Sequence, residues 1–149
     1  MALTESMAQN RTIRLGLLGL GTVGTGVINL LASNRQEIIR RCGIDFVVTQ
    51  AAARNPDKAR DCDLSGITVS GDPVAVAAHD DVDMVVELMG GEGLARDAVL
   101  AAIAAGKPVV TANKALIALH GKAIQQAATE KQVELGFVAA VAGGIPVLK

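Results

Sequence analysis

A doubly wound α/β fold, a mostly parallel sheet with helices on both faces, is predicted here by three observations. Short apolar runs alternate with stretches of helical periodicity along most of the chain. The first apolar run closes on glycines where a helical pattern opens. The 149 residues are enough to bury one core without disulfide or metal, and no internal repeat or low-complexity linker interrupts the alternation.

Taken in order, residues 13–19 (IRLGLLG) read as the first strand. Residues 23–41 carry Val27, Leu30, Leu31 and Ile38 at helical spacing and predict one long helix, stopped by Gly43. Residues 46–53 (FVVTQAAA) form a second strand and complete a βαβ unit. A polar loop of Asn55, Pro56, Asp57 and Lys58 leads to a weak strand at 67–70 and a short helix opening near Asp72 and Pro73. Residues 83–89 (DMVVELM) read as a buried strand, 94–105 as an alanine-rich helix capped by Gly106, and 108–112 (PVVTA) as a strand. A helix from Lys114 to about Lys131 and a strand at 133–139 close the pattern. The expected organisation is a disordered tail at 1–10, a nucleotide-binding domain at 11–140, and at 141–149 (VAGGIPVLK) the start of a connection to a further domain.

Composition narrows the function. Lysines and arginines number 14 against 15 acidic residues, so no polycationic face invites nucleic acid or an anionic membrane. The apolar stretches are too short to span a bilayer, and residues 1–10 have neither a signal-peptide core nor a transit-peptide pattern. The expectation is a cytoplasmic protein working on a small molecule. Cys42 and Cys62 read as free thiols; Asp61 and Asp63 flank Cys62 and disfavour its thiolate.

The strongest local signal is Gly19-Leu20-Gly21-Thr22-Val23-Gly24, a GxGxxG string joining a buried strand to a helix, as in a Rossmann-type dinucleotide turn. Gly19 permits the tight turn, Gly21 lets backbone approach a pyrophosphate, and Gly24 lets the helix pack on the strand. The free N–H groups of the opening helix, with Thr22 and Val23 in its first turn, favour phosphate. Counting about 20 residues past the motif to find a ribose-binding acid lands on Asp45. Asp45 precedes the apolar run and so belongs at the strand's amino end, away from a cofactor. The carboxyl end is Ala53-Arg54-Asn55, where Arg54 and nearby Lys58 suit a 2′-phosphate. NADP(H) is therefore favoured, with NAD(H) as the alternative.

Thr111-Ala112-Asn113-Lys114 ends one strand and starts a helix, with Asn113 placed as N-cap. Lys114 opposes the helix dipole by roughly 0.3–1 kcal/mol, and positions that break a local rule are enriched in function. Partial burial there would also ease proton donation.

Four ordered motifs now carry a resemblance: GLGTVG at 19–24, ELMGG at 87–91, GKPVVTANKALIA at 106–118 and VAGGIP at 141–146 resemble homoserine dehydrogenase. The resemblance implies reversible hydride transfer between NAD(P)H and aspartate 4-semialdehyde, giving L-homoserine for threonine and methionine synthesis. It implies that Lys114 is the acid/base lysine and that Met89, Gly90, Gly91, Thr111 and Asn113 help form the cofactor wall. In the family pattern a glutamate that helps hold a monovalent cation follows the phenylalanine matching Phe137, but this chain has Val138. Backbone carbonyls of Val141 and Gly143 alone do not predict a metal. The family's substrate-binding and dimerisation region, with its second lysine and acidic residues, is missing, so these 149 residues are expected not to turn over alone, and the full-length enzyme is expected to be a homo-oligomer. Two other readings stay open: a noncatalytic NAD(P)-sensing module, and a reductase of another small aldehyde or imine.

Overall fold

The computed structural model describes residues 10–137. Along them run β1 (Arg11–Leu18), α1 (Thr22–Ser33), α2 (Arg35–Cys42), β2 (Ile44–Ala52), β3 (Thr68–Ser70), α3 (Pro73–Ala77), β4 (Met84–Glu87), α4 (Gly93–Ala104), β5 (Val109–Thr111), α5 (Lys114–Lys131) and β6 (Leu135–Phe137). The strands form one sheet of order β3-β2-β1-β4-β5-β6, and each pairing is parallel. The chain works outward from β1 to β3, crosses back, and works outward again from β4. The order reverses between β1 and β4, where a doubly wound sheet opens a ligand crevice at its carboxyl edge.

Strand side chains alternate between two cores. Leu17 and Ala51 pack with Ile28 of α1 on one face. Leu18, Ala52, Val85 and Val109 pack on the other with Val76 of α3, Val99 and Ile103 of α4, and Leu116 and Ile124 of α5. Covered on both faces, the inner strands read as continuous apolar runs. Asp72 caps α3 by accepting the Val74 and Ala75 N–H groups, each at 3.1 Å, with Pro73 in the first turn.

The single long helix expected over 23–41 is instead two helices. Asn34 (φ −113°, ψ 16°) ends α1 and begins α2, and its Nδ2 donates to the Leu30 carbonyl at 3.0 Å. A side chain that captures the carbonyl four residues back competes with the helical ladder, and periodicity does not register this. Gly43, in the left-handed region at φ 71°, ends α2 and donates its N–H to Ile39.

At the amino end of the sheet, Arg14 of β1 is held by Asp83, just before β4. The Arg14 backbone N–H reaches the carboxylate at 2.8 Å and the guanidinium at 3.0 and 2.9 Å. These donors hold the Asp83 carboxyl down at about 2. Among the described residues no helix is long and apolar enough to cross a membrane.

Candidate functional site

The carboxyl ends of β1, β2 and β4 are tied together by backbone alone. Gly19 donates its N–H to the Ala52 carbonyl at 2.9 Å, and Leu88 donates to Leu18 at 2.8 Å. Gly19 has φ 111°, and a Cβ there would lie 3.2 Å from the Leu88 backbone. A Cβ on Gly24 would lie 2.1 Å from the Gly19 carbonyl oxygen, so α1 begins in direct contact with the turn. A Cβ on Gly21, the N-cap of α1, would meet nothing within 4 Å. That open space is what a pyrophosphate needs, and the fit is good. Thr22 and Val23 are exposed in the first turn, which holds no acidic residue. Their N–H groups lack helical partners by position, since the first ladder bond runs from Thr25 N–H to Gly21.

Above this turn lies a cleft of about 580 Å³. Gly19 and Gly21 line its floor, Met89 and Gly90 one wall, and Arg54, Lys58 and Arg60 the other; its described lining holds three cations and no carboxylate. Asp45 sits at the opposite end of β2, bound to Arg35 at 2.9 and 2.7 Å. Arg60, which the sequence reading passed over, donates to the carbonyls of Leu20, Asn55, Pro56 and Lys58.

Behind the Met89 wall is a second feature not foreseen, the buried Glu87 at the end of β4. Its carboxyl accepts from the Thr111 hydroxyl, from Met89 N–H at 2.8 Å and from Asn113 Nδ2 at 3.4 Å. Burial pushes this carboxyl above the usual range, and the three donors pull part of the way back. Asn113 Nδ2 also donates to the carbonyls of Met89 at 3.1 Å and Gly91 at 2.7 Å, while its Oδ1 accepts the Leu116 N–H at 3.0 Å. An amide with acceptors around its nitrogen and a donor at its oxygen has only one sensible orientation.

The homoserine dehydrogenase NAD-binding domain family matches residues 19–137. The chain belongs to this family. It is 50% identical over 139 residues to homoserine dehydrogenase of Pseudomonas aeruginosa, covering 93% of this chain and 32% of that protein. The Neisseria gonorrhoeae homoserine dehydrogenase is 46% identical over the same shares. A solved homoserine dehydrogenase from Thiobacillus denitrificans superposes with a TM-score of 0.84 at 48% identity, over 95% of this chain and 33% of that one. The chain thus spans about a third of the length of the relatives it matches.

Within this homoserine dehydrogenase framework, Gly19, Gly21, Arg54, Lys58, Met89 and Gly90 meet at the cleft, with Gly24 packed beneath and Thr22 and Val23 at its helix end. Thr111, Asn113 and Gly91 do not line it. The Thr111 hydroxyl and Asn113 amide are spent on Glu87 and the Met89–Gly91 backbone, so they brace the wall from behind. Lys114 is the first residue of α5, directly after its Asn113 cap, as expected, but its side chain is exposed and does not line the cleft. The partial burial weighed for Lys114 is not found among the described residues. Val138, Val141 and Gly143 lie outside the described residues, as do the segments 1–9 and 141–149. Among the described residues no cluster of three or more His, Cys, Asp or Glu is placed to hold a metal. Cys42 and Cys62 are free thiols. Burial, more than Asp61 and Asp63, pushes the Cys62 thiol up.

Proposed function

We propose that this chain is the part of a homoserine dehydrogenase that grips the nicotinamide cofactor, and that it takes NADP(H) in preference to NAD(H). The observation that carries this reading is the cleft over the glycine turn, with three cations and no carboxylate among its described lining residues. The turn N–H groups of α1 bind the pyrophosphate. Arg54 grips the 2′-phosphate through its planar fork, and Lys58 adds a second charge. The bound cofactor supplies the hydride exchanged with aspartate 4-semialdehyde to give L-homoserine in the longer protein. Lys114 holds a proton at Nζ for the substrate oxygen on which negative charge develops. Its exposure here fits a residue that meets its substrate where the relatives extend beyond the span of this chain. The reading carries with it a cytoplasmic, homo-oligomeric enzyme with a small-molecule substrate, and no monovalent-cation site is proposed on Val138, Val141 and Gly143.

With no Trp or Tyr in the chain, cofactor fluorescence can be titrated almost without protein background. NADPH should bind more tightly than NADH, and Arg54→Ala should narrow the gap by about tenfold, the worth of one charge-assisted contact. An unchanged ratio removes the NADP(H) preference, and no binding of either removes the cofactor role. In a protein spanning the relatives' full length, Lys114→Met should lower kcat by about 100-fold or more while leaving the NADPH Kd within about threefold. Equal losses in both would make Lys114 a cofactor or structural residue.

A further inference from the structure

Arg60 is the cleft residue whose contacts the glycine turn and the cations at Arg54 and Lys58 leave unexplained. Its Nε donates to the Leu20 carbonyl at 3.1 Å, inside the glycine turn. Its Nη1 donates to Lys58 at 2.8 Å and Pro56 at 3.4 Å, and its Nη2 to Asn55 at 2.8 Å. The side chain is half-buried and lines the cleft, and among the described residues no carboxylate forms an ion pair with it.

We propose that Arg60 is a positioning residue that fixes the span between the pyrophosphate turn and the loop bearing Arg54 and Lys58, and thereby sets the preference for NADPH over NADH. The inference rests on the cofactor reading above. Between β2 and β3 the chain forms no helix or strand, so the loop needs another source of order. The Lys58 N–H closes a turn onto Asn55 at 3.2 Å and Asn29 Nδ2 holds Asp61 at 3.0 Å, but the bonds that join the stretch 55–58 to the glycine turn come from the Arg60 guanidinium. Three loop carbonyls turn inward onto the two Nη groups, which keeps their negative ends off a neighbouring phosphate, while the Nε–H reaches across to the turn. A planar fork can serve these acceptors together; an ammonium on a flexible stem cannot hold the same set. The charge meets only carbonyl dipoles, so it still adds to the positive potential of the cleft.

The consequence separates the two cofactors. Both use the turn, but only NADPH also uses the loop, and a ligand held at two anchors gains from a fixed distance between them. Loosening that distance penalises NADPH alone.

The test titrates NADPH and NADH against the 149-residue chain as wild type, Arg60→Ala, Arg60→Lys, Arg54→Ala and the Arg54→Ala/Arg60→Ala double variant. Arg60→Ala should reduce the NADPH-to-NADH affinity ratio by about tenfold, with NADH nearly unmoved. Arg60→Lys should fall between wild type and Arg60→Ala. In the Arg54→Ala background, removing Arg60 should change the ratio clearly less than it does in wild type, because the main contact of the second anchor is gone and only Lys58 remains. Should Arg60→Ala fail to fold by circular dichroism, Arg60→Lys carries the test with a ratio reduced several-fold. Parallel losses of both cofactors, or independent effects in the double variant, overturn the proposal as a merely structural role. If wild type binds neither cofactor, the cofactor reading fails and this proposal fails with it.

Discussion

Glu87 has no exposed surface, yet each of its hydrogen-bond partners donates to it and no cation pairs with it among the described residues. Its carboxyl is raised, so the linked stability is fully present below the ordinary glutamate value and is lost as pH rises through the folded-state value. Glu87→Gln keeps the shape and removes the titration. Urea midpoints should show wild type falling behind this variant as pH climbs from about 4. Glu87→Ala should instead cost about 1–3 kcal/mol for each buried donor left unpaired. The hydrogen-bonding roles of Glu87 and Arg60 were not legible beforehand. Glu87 falls inside the run 83–89 that reads as a buried strand, but the pattern does not say which groups would meet its carboxyl, and an arginine in a polar loop reads as solvated. Their roles are set by carbonyls and hydroxyls brought in from other elements. Gly19, Gly21 and Gly24 were legible because backbone geometry alone demands them.

Between elements, Asn113 does two jobs with two ends of one amide: Oδ1 caps α5, and Nδ2 holds the loop between β4 and α4. Asn113→Ser keeps a capping oxygen but cannot reach that loop. Hydrogen exchange should quicken at the Met89 amide, which donates to Glu87 at 2.8 Å beside that loop, while the first turn of α5 stays protected; an unchanged Met89 amide would show that the loop needs no clasp. The Arg14–Asp83 pair joins β1 to β4 at the far edge, with both side chains about 40% exposed. Because the Asp83 carboxyl is depressed to about 2, its contribution is present above the unfolded value and is lost as pH falls through the folded one. The stability advantage of wild type over Asp83→Asn should be steady above about pH 4 and fade towards pH 2. Most elements were legible from period and flanking glycines. The break at Asn34 was not, because it depends on a side-chain bond to Leu30 that leaves the apolar pattern intact.

Across the whole molecule, the strand order places the turn after β1 beside the loop after β4, although about 70 residues separate them. A cofactor bridging these loops binds only the folded chain, so NADPH at 100 times its Kd should add about 2.7 kcal/mol to unfolding stability. Gly24→Ala, whose Cβ falls 2.1 Å from the Gly19 oxygen, should lose that increment and lower the midpoint without ligand. A variant that melts like wild type and still gains from NADPH would mean the turn can yield. The alternation of strands and helices announced the sheet and its crevice. It did not announce which side chains would face one another across it, because those meetings depend on loop paths that carry no period.

The bonds from Gly19 to Ala52 and from Leu88 to Leu18 use only peptide groups. In evolutionary terms, the base of the crevice is therefore insulated from drift in side-chain identity, while its rim at Arg54, Lys58 and Arg60 is open to revision. On the cofactor reading proposed above, one nucleotide preference is exchanged for another by editing the rim and leaving the sheet untouched. A search for distant kin should weigh the glycine spacing above every charged position around it.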